Sequence, residues 1–347
     1  MHFQKVIAYI ATFFLWRMIG GLPSIWRNDR KMIGSKQKAL QRPLSVATAR
    51  GVLLSGVLFD AGQDADTVLI AITGIHGNFY SNPFYFNIGE TLNGAGIDFV
   101  YAQTNDAFGQ MKTVNIKNGR EEIIGSWNER FAYAEEDVEA YLDWAEEKGY
   151  KHIYLAGHSL GANKVLWYLS RHKDKRVEHF FLLSPANLSY MMSNVTDQEK
   201  KIICAQVENG SGKEMLPFAF MGWVPCIAYT AYDWIFSGML DVAHVEREGN
   251  FSAASKVTHT GALLIGTYDN FCGGDPVGYL ENLNGHMPST KDNKLIYIER
   301  TGHTYQQKEQ ELAEEILKTV LEWKKSTSMS LKPMKENERL NRKRQLA

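Results

Sequence analysis

The pentapeptide Gly157-His158-Ser159-Leu160-Gly161 sets one serine hydroxyl between two glycines. An apolar run over residues 152–156 leads into it, and an amphipathic run over 160–171 leads out. Strand, tight turn and helix in that order hold a serine with its oxygen exposed at the bend. Glycine is needed beside such a serine because the bend leaves no room for neighbouring side chains. The outgoing helix also aims its free N–H groups and partial positive charge at the serine. The chemistry implied is attack of Ser159 on a carbonyl carbon.

A serine hydroxyl attacks poorly until a base takes its proton. In this strand–turn–helix setting the acid and then the base follow the serine in the chain. Asp269 lies just past an apolar run at 262–267, and His303 lies just past another at 295–299. Loops at the ends of those strands bring both toward Ser159. His303 is then the base, and Asp269 orients it and stabilises its charged form. Asp275 competes for the acid, although Gly273-Gly274-Asp275-Pro276 reads equally as a turn. His259 and His286 compete for the base but fall away from strand ends. His158 flanks the serine and points away from it, which predicts a packing role. A tetrahedral intermediate needs two donors for its oxyanion. The backbone N–H of Leu160 is one. Asn78, in the Gly74-Ile75-His76-Gly77-Asn78 turn after the run at 67–73, is the expected second.

These residues need a scaffold that alternates strands and helices. Short apolar runs at 52–59, 67–73, 98–102, 152–156, 180–184, 262–267 and 295–299 read as strands, several apolar throughout as in sheets buried on both faces. Residues 133–148 carry Val138, Tyr141, Leu142 and Ala145 at helical spacing, and 306–323 do the same with Leu312, Ile316, Leu317 and Val320. The pattern predicts an α/β fold, a mainly parallel central sheet with helices on both faces. Residues 186–260 break the alternation and are rich in Met, Trp, Tyr and Phe. That stretch is too long for a connection. It reads as a helical cap inserted before the last two strands, with additional core helices as the alternative. The core is then 46–185 plus 261–325.

The chain has 347 residues, 44% of them hydrophobic and 22% charged, which suffices for a sizeable core and excludes disorder over its whole length. A net charge of −1 gives no basis for nucleic-acid binding. Cys204, Cys226 and Cys272 form no CxxC pair, and the histidines show no metal-ligand spacing, so neither a metal nor a cofactor is expected. Residues 1–45 form an extension. Within it Val6 to Trp16 is apolar behind Lys5, shorter than the roughly 20 residues a spanning helix needs. It reads as a signal or membrane anchor, as an amphipathic or buried helix, or as sequence ahead of a later start at Met32. Cytoplasmic, membrane-associated and (if residues 1–23 are a signal) secreted locations all stay open. The tail 326–347 is basic and reads as a solvated end.

The His-Gly-Asn turn, the GHSLG turn, the acid after the next-to-last strand and the Gly302-His303 pair together resemble the α/β-hydrolase superfamily over residues 50–323. The segment Gly125-Ser126-Trp127-Asn128-Glu129-Arg130-Phe131 with Glu136-Asp137 is similar to a branch that includes fungal siderophore-esterase-like proteins. The resemblance implies a cofactor-free serine hydrolase with a Ser159–His303–Asp269 triad, acting on a small-molecule ester. Amides, thioesters and peptides are the alternatives, as is a non-catalytic relative. Serine at the nucleophile position excludes the members that use aspartate or cysteine there. The aromatic, Met-rich insert predicts a substrate with an apolar part. Tyr80, Phe84, Tyr85 and Phe86 are candidate cleft residues, and Asn105, Asp106 and Arg130 are candidate polar selectors.

Overall fold

A computed structural model describes residues 40–62 and 64–326. The expectations for the apolar N-terminal run and the basic tail lie outside the described residues. None of the described helices is long and apolar enough to cross a membrane.

Eight strands form one sheet: β1 (Leu40–Ala47), β2 (Leu53–Asp60), β3 (Thr67–Ile72), β4 (Asp98–Ala102), β7 (His152–His158), β8 (Val177–Leu183), β9 (Thr260–Gly266) and β10 (Lys294–Ile298). Their order is β1-β2-β4-β3-β7-β8-β9-β10. The first two strands pair antiparallel, and every pair from β4 to β10 is parallel. A two-stranded hairpin, β5 (Met111–Asn115) and β6 (Arg120–Ile124), forms a second sheet and is tied to the start of β2 through a bridge between Val52 and Asn115. The hairpin and β1 are additions to the seven strands expected. Polar and charged residues interrupt the apolar positions of both, and only Val46, Asn115 and Ile124 in them are buried.

The inner strands are buried on both faces, as their apolar runs predict. In β3, Val68, Ile70 and Ile72 join one core, while Leu69 and Ala71 join the other. That split is the two-residue period of a pleated strand. Helices α2 (Ala134–Glu147), α3 (Leu160–Arg171) and α7 (Pro276–Gly285) cover the first face. Helix α1 (Phe84–Asn93) and the C-terminal helix α8 (309–326) cover the second.

Between β8 and β9 lie α4 (Leu188–Met192), α5 (Asp197–Glu208) and α6 (Ala228–Phe236). Residues from Leu188 to Leu240 build a third apolar cluster, which reaches the core through Phe131, Ala134 and Leu160. The rest of the expected insert behaves differently. Val242, Ala243, Phe251, Ala253, Ala254 and Val257 pack into the first core beside the sheet. The helical layer over the strand ends is therefore shorter than 186–260.

The strand order runs outward in opposite directions from β3 and β7. Crevices in open α/β sheets form at that reversal, beyond the carboxyl ends of the strands. Three glycines let the backbone close up there. A Cβ on Gly161 would stand 2.6 Å from the Thr73 carbonyl and closer still to that of Ile72. One on Gly157 would stand 2.7 Å from the Ala162 nitrogen. One on Gly74 would stand 2.9 Å from Ser159 Cβ. Gly161→Ala thrusts a methyl group into backbone that cannot yield. A loss of about 1–3 kcal/mol is expected from overpacking alone, read as a lower thermal unfolding midpoint.

Candidate active site

Ser159 sits on the bend between β7 and α3 with φ 56° and ψ −127°. A side-chain-bearing residue holds such a conformation, at a cost of about 1–3 kcal/mol, only when its surroundings impose it. Here the Ser159 N–H is tied to the Leu183 carbonyl at 3.0 Å, and its own carbonyl receives Ala162 N–H at 2.9 Å. The side chain is half-buried at the crevice.

Asp269 follows β9 and is buried. One of its oxygens accepts the Phe271 N–H at 2.9 Å; the other meets His303 Nδ1 at 2.9 Å. A carboxylate opposite Nδ1 places the ring proton there and leaves Nε2 as the acceptor. Nε2 is buried and meets no hydrogen-bond partner among the described residues. Phe271 stacks on the imidazole with ring centroids 4.2 Å apart. His303 thus has one nitrogen fixed by a carboxylate and the other kept for a proton.

His158 does more than pack. Its Nε2 lies 2.8 Å from the His303 carbonyl, and the two rings are 4.9 Å apart. Burial, with the His303 ring adding to it, pushes the His158 imidazole down to about 3. The ring is neutral at ordinary pH, so Nε2 carries the proton and donates it. His158 therefore anchors the loop that carries His303.

Of the two N–H groups expected from the sequence as oxyanion donors, that of Leu160 is unpartnered among the described residues and that of Asn78 is not. Leu160 N begins the helix and meets no acceptor among the described residues. Asn78 is committed elsewhere. Its N–H donates to Ser81 Oγ at 3.1 Å, its side-chain amide to the His76 carbonyl at 2.7 Å, and its own carbonyl takes the Tyr101 hydroxyl at 2.5 Å. Gly74, not Asn78, faces the bend: a Cβ there would be 3.4 Å from Leu160 N. The next peptide N–H, of Ile75, meets no acceptor among the described residues. Next to the bend it is thus the Ile75 N–H, not that of Asn78, that is unpartnered. The usable signal was the glycine directly after the strand; the His-Gly pair lies two residues too far along.

Comparison with known proteins bears on the scaffold. A family profile described as alpha/beta hydrolase fold matches residues 111–219, which contain the serine turn. Among solved structures, Est1E from Butyrivibrio proteoclasticus is 16% identical, with a TM-score of 0.56 over 81% of this chain and 98% of its own. The α/β hydrolase GrgF from Penicillium sp. sh18 is 16% identical, with a TM-score of 0.58 over 82% and 97%. An esterase of Pyrococcus furiosus is 16% identical, with a TM-score of 0.52 over 82% and 91%. No curated protein sequence matches. The chain has the α/β-hydrolase fold.

Within this α/β-hydrolase fold the competing residues have other work. Asp275 caps α7 by accepting the Val277 N–H at 3.1 Å. His259 Nε2 lies 2.9 Å from the Asp174 carbonyl, and His286 stacks on Phe251. Phe84 and Tyr85 are fully buried core, and Phe86 packs against Phe59, so these three do not line the cleft. Tyr80 is 91% exposed. Arg130 is at the surface, 3.7 Å from Asp233. No group of three or more His, Cys, Asp or Glu side chains among the described residues is arranged to hold a metal.

Asn105 and Asp106, candidate polar selectors from the sequence, are buried. Asp106 belongs to a charge cluster. Lys164 Nζ on α3 donates to Asp106 Oδ1 at 2.7 Å and meets Thr104 Oγ1 at 3.1 Å. Buried Asp137 accepts the Asn105 N–H at 2.9 Å, and buried Glu129 accepts the Trp234 indole N–H of α6 at 2.5 Å. Burial acts to lower the Lys164 ammonium, but Asp106, Glu129 and Asp137 outweigh it and the group is held charged. Burial pushes the Glu129 carboxyl up to about 8 and that of Asp137 up to about 6, both against the pull of Lys164.

That shift ties stability to pH. Below the ordinary carboxylate range both folded and unfolded chains hold the Glu129 proton. As pH rises, the unfolded chain loses it near 4, while the folded chain keeps it until about 8. The folded state binds more protons in that window, so stability falls as pH rises through it. Glu129→Gln keeps an acceptor for Trp234 and cannot ionise. Thermal midpoints measured from pH 5 to 8 should fall less in this variant than in wild type.

Proposed function

We propose that this chain is a serine hydrolase that cleaves carboxylic esters through an acyl-enzyme on Ser159. The observation that carries the reading is His303, bonded to Asp269 through Nδ1 and presenting a buried, unpartnered Nε2. Its loop is held beside the serine bend by His158. In the proposed reaction Ser159 Oγ attacks the carbonyl carbon as its proton passes to His303 Nε2. The oxyanion takes hydrogen bonds from the N–H groups of Leu160 and Ile75. The C–O bond breaks, and His303 returns the proton to the leaving alcohol. Water then repeats the sequence and releases the acid.

Apolar surface at the site supports an ester with an apolar part. Phe271 covers the His303 ring, Trp223 stands edge-on to His76 at 5.6 Å and is 41% exposed, and Ile75 packs against the cluster under α4 to α6. The neighbours named as esterases support ester cleavage over amide cleavage. One of them, Est1E, is also known with ferulic acid bound, at 16% identity and a TM-score of 0.54.

The test is hydrolysis of p-nitrophenyl esters of rising acyl length. Wild type should turn over with a chain-length optimum, and Ser159→Ala should lose about a million-fold in kcat. Asp269→Asn should lose about ten-thousand-fold, because the amide no longer fixes the His303 tautomer. If wild type neither hydrolyses these esters nor reacts with a fluorophosphonate at Ser159, the reading fails.

A further inference from the structure

We propose that Lys164 is a positioning residue: through Asp106 it fixes the loop whose Ile75 N–H completes the oxyanion site. This rests on the reading of Ser159 as the nucleophile.

Lys164 is the one lysine or arginine among the buried described residues. It lies five positions after Ser159, on the helix that starts at the serine bend. Its ammonium and the Thr104 hydroxyl both donate to the same oxygen of Asp106, at 2.7 and 2.5 Å. Stability alone does not account for such a pair. Apolar residues of similar volume in its place are commonly as stabilising or more so. What an apolar pair does not do is fix direction, and direction is what the loop requires.

The backbone of Asp106 is the link. Its carbonyl accepts the N–H of His76, at 3.1 Å. His76 follows Ile75 and holds φ 58°, a left-handed conformation that an ordinary residue keeps only when its surroundings impose it. Three contacts hold it here: the Asp106 carbonyl on its N–H, the Asn78 amide on its carbonyl at 2.7 Å, and Ser126 Oγ, which lies 2.5 Å from His76 Nε2. The far end of the loop is tied to the same segment. Gln103 accepts the Phe79 N–H at 3.1 Å, and the Tyr101 hydroxyl donates to Asn78 and Ser81 carbonyls. The path from the nucleophile's helix to the second donor therefore runs Lys164, Asp106, His76, Ile75. A donor must be aimed at the place where charge develops, so slack anywhere in that path is read in the transition state more than in substrate binding.

The test compares Lys164→Met with the double variant Lys164→Met/Asp106→Leu. The single variant strands a buried carboxylate and is expected to be strongly destabilised, or unfolded. The double variant removes both charges, is expected to fold, and carries the test. Two readouts are made on it. Hydrogen exchange should speed up in peptides covering 73–81 and stay at the wild-type rate in the sheet strands. With a p-nitrophenyl ester, kcat should fall about 100-fold with KM held within about threefold. Wild-type exchange in 73–81 overturns the proposal, as does wild-type kcat in a folded double variant. A matched loss in both kcat and sheet protection would mean a merely structural role and overturns it too. If wild type itself hydrolyses no ester, the functional reading fails, and the exchange result still decides whether Lys164 orders the loop.

Discussion

Everything at the crevice depends on backbone packed against backbone where β3 and β7 end. Gly74, Gly157 and Gly161 meet there, and none of the three has space for a methyl group. That close approach forces Ser159 into its strained bend and sets the first N–H of α3 beside the peptide after Gly74. The crevice is thus built first from missing side chains. Reactive side chains arrive second, on loops whose strands are already fixed in register by the sheet.

Two histidines share one wall of the crevice, and their surroundings divide the labour. His158 is enclosed by Phe84, Tyr85 and Tyr305 and has no carboxylate against its ring. Burial keeps it neutral, which makes it a constant donor to the His303 carbonyl. His303 has Asp269 against Nδ1 and Phe271 over its face. Sequence spacing places both residues near the serine. Only the packing distinguishes a ring enclosed by aromatic side chains from one set against a carboxylate with its other nitrogen unpartnered among the described residues.

Most of the scaffold was legible because buried parallel strands must be apolar throughout and their covering helices amphipathic. Seven strands and the helices at 134–147 and 160–171 carried that signal. β1 and the β5–β6 hairpin did not, since polar and charged residues interrupt their apolar positions and few of those positions are buried. The sequence sets Ser159, Asp269 and His303 at strand ends, and the structure brings Asp269 and His303 into contact. The proposed second oxyanion donor has no such signal, because a backbone N–H carries no residue signature. Asn78 drew attention by its type, yet its polar groups are spent on holding its own turn. Lys164 was hidden for a related reason, and Asp106 was marked by its type only as a candidate polar selector. In sequence a lysine on an amphipathic helix reads as solvated, and only the carboxylates gathered around it make it a buried residue.

That burial has a consequence for how the helical layer is held. The segment 127–130 receives α6 through four contacts: the Trp127 carbonyl accepts Ile227 N–H at 2.8 Å and the Thr230 hydroxyl at 3.4 Å, Glu129 takes the Trp234 indole, and Arg130 faces Asp233. Of the segment's own residues, Glu129 alone is fully buried and alone feels the Lys164 charge. Its carboxyl is held neutral at ordinary pH by burial, so the indole contact then joins two uncharged groups. Ionising Glu129 would strengthen that hydrogen bond locally, since a charged acceptor binds a donor more tightly. It would also add a second negative charge beside Asp106 in a region from which water is excluded, where like charges repel most. Burial outweighs the gain, as the upward shift of the group records. The seat of α6 and the charge cluster beneath the oxyanion loop are therefore one electrostatic unit. A change of charge at Glu129 is felt by Lys164 as well as by Trp234.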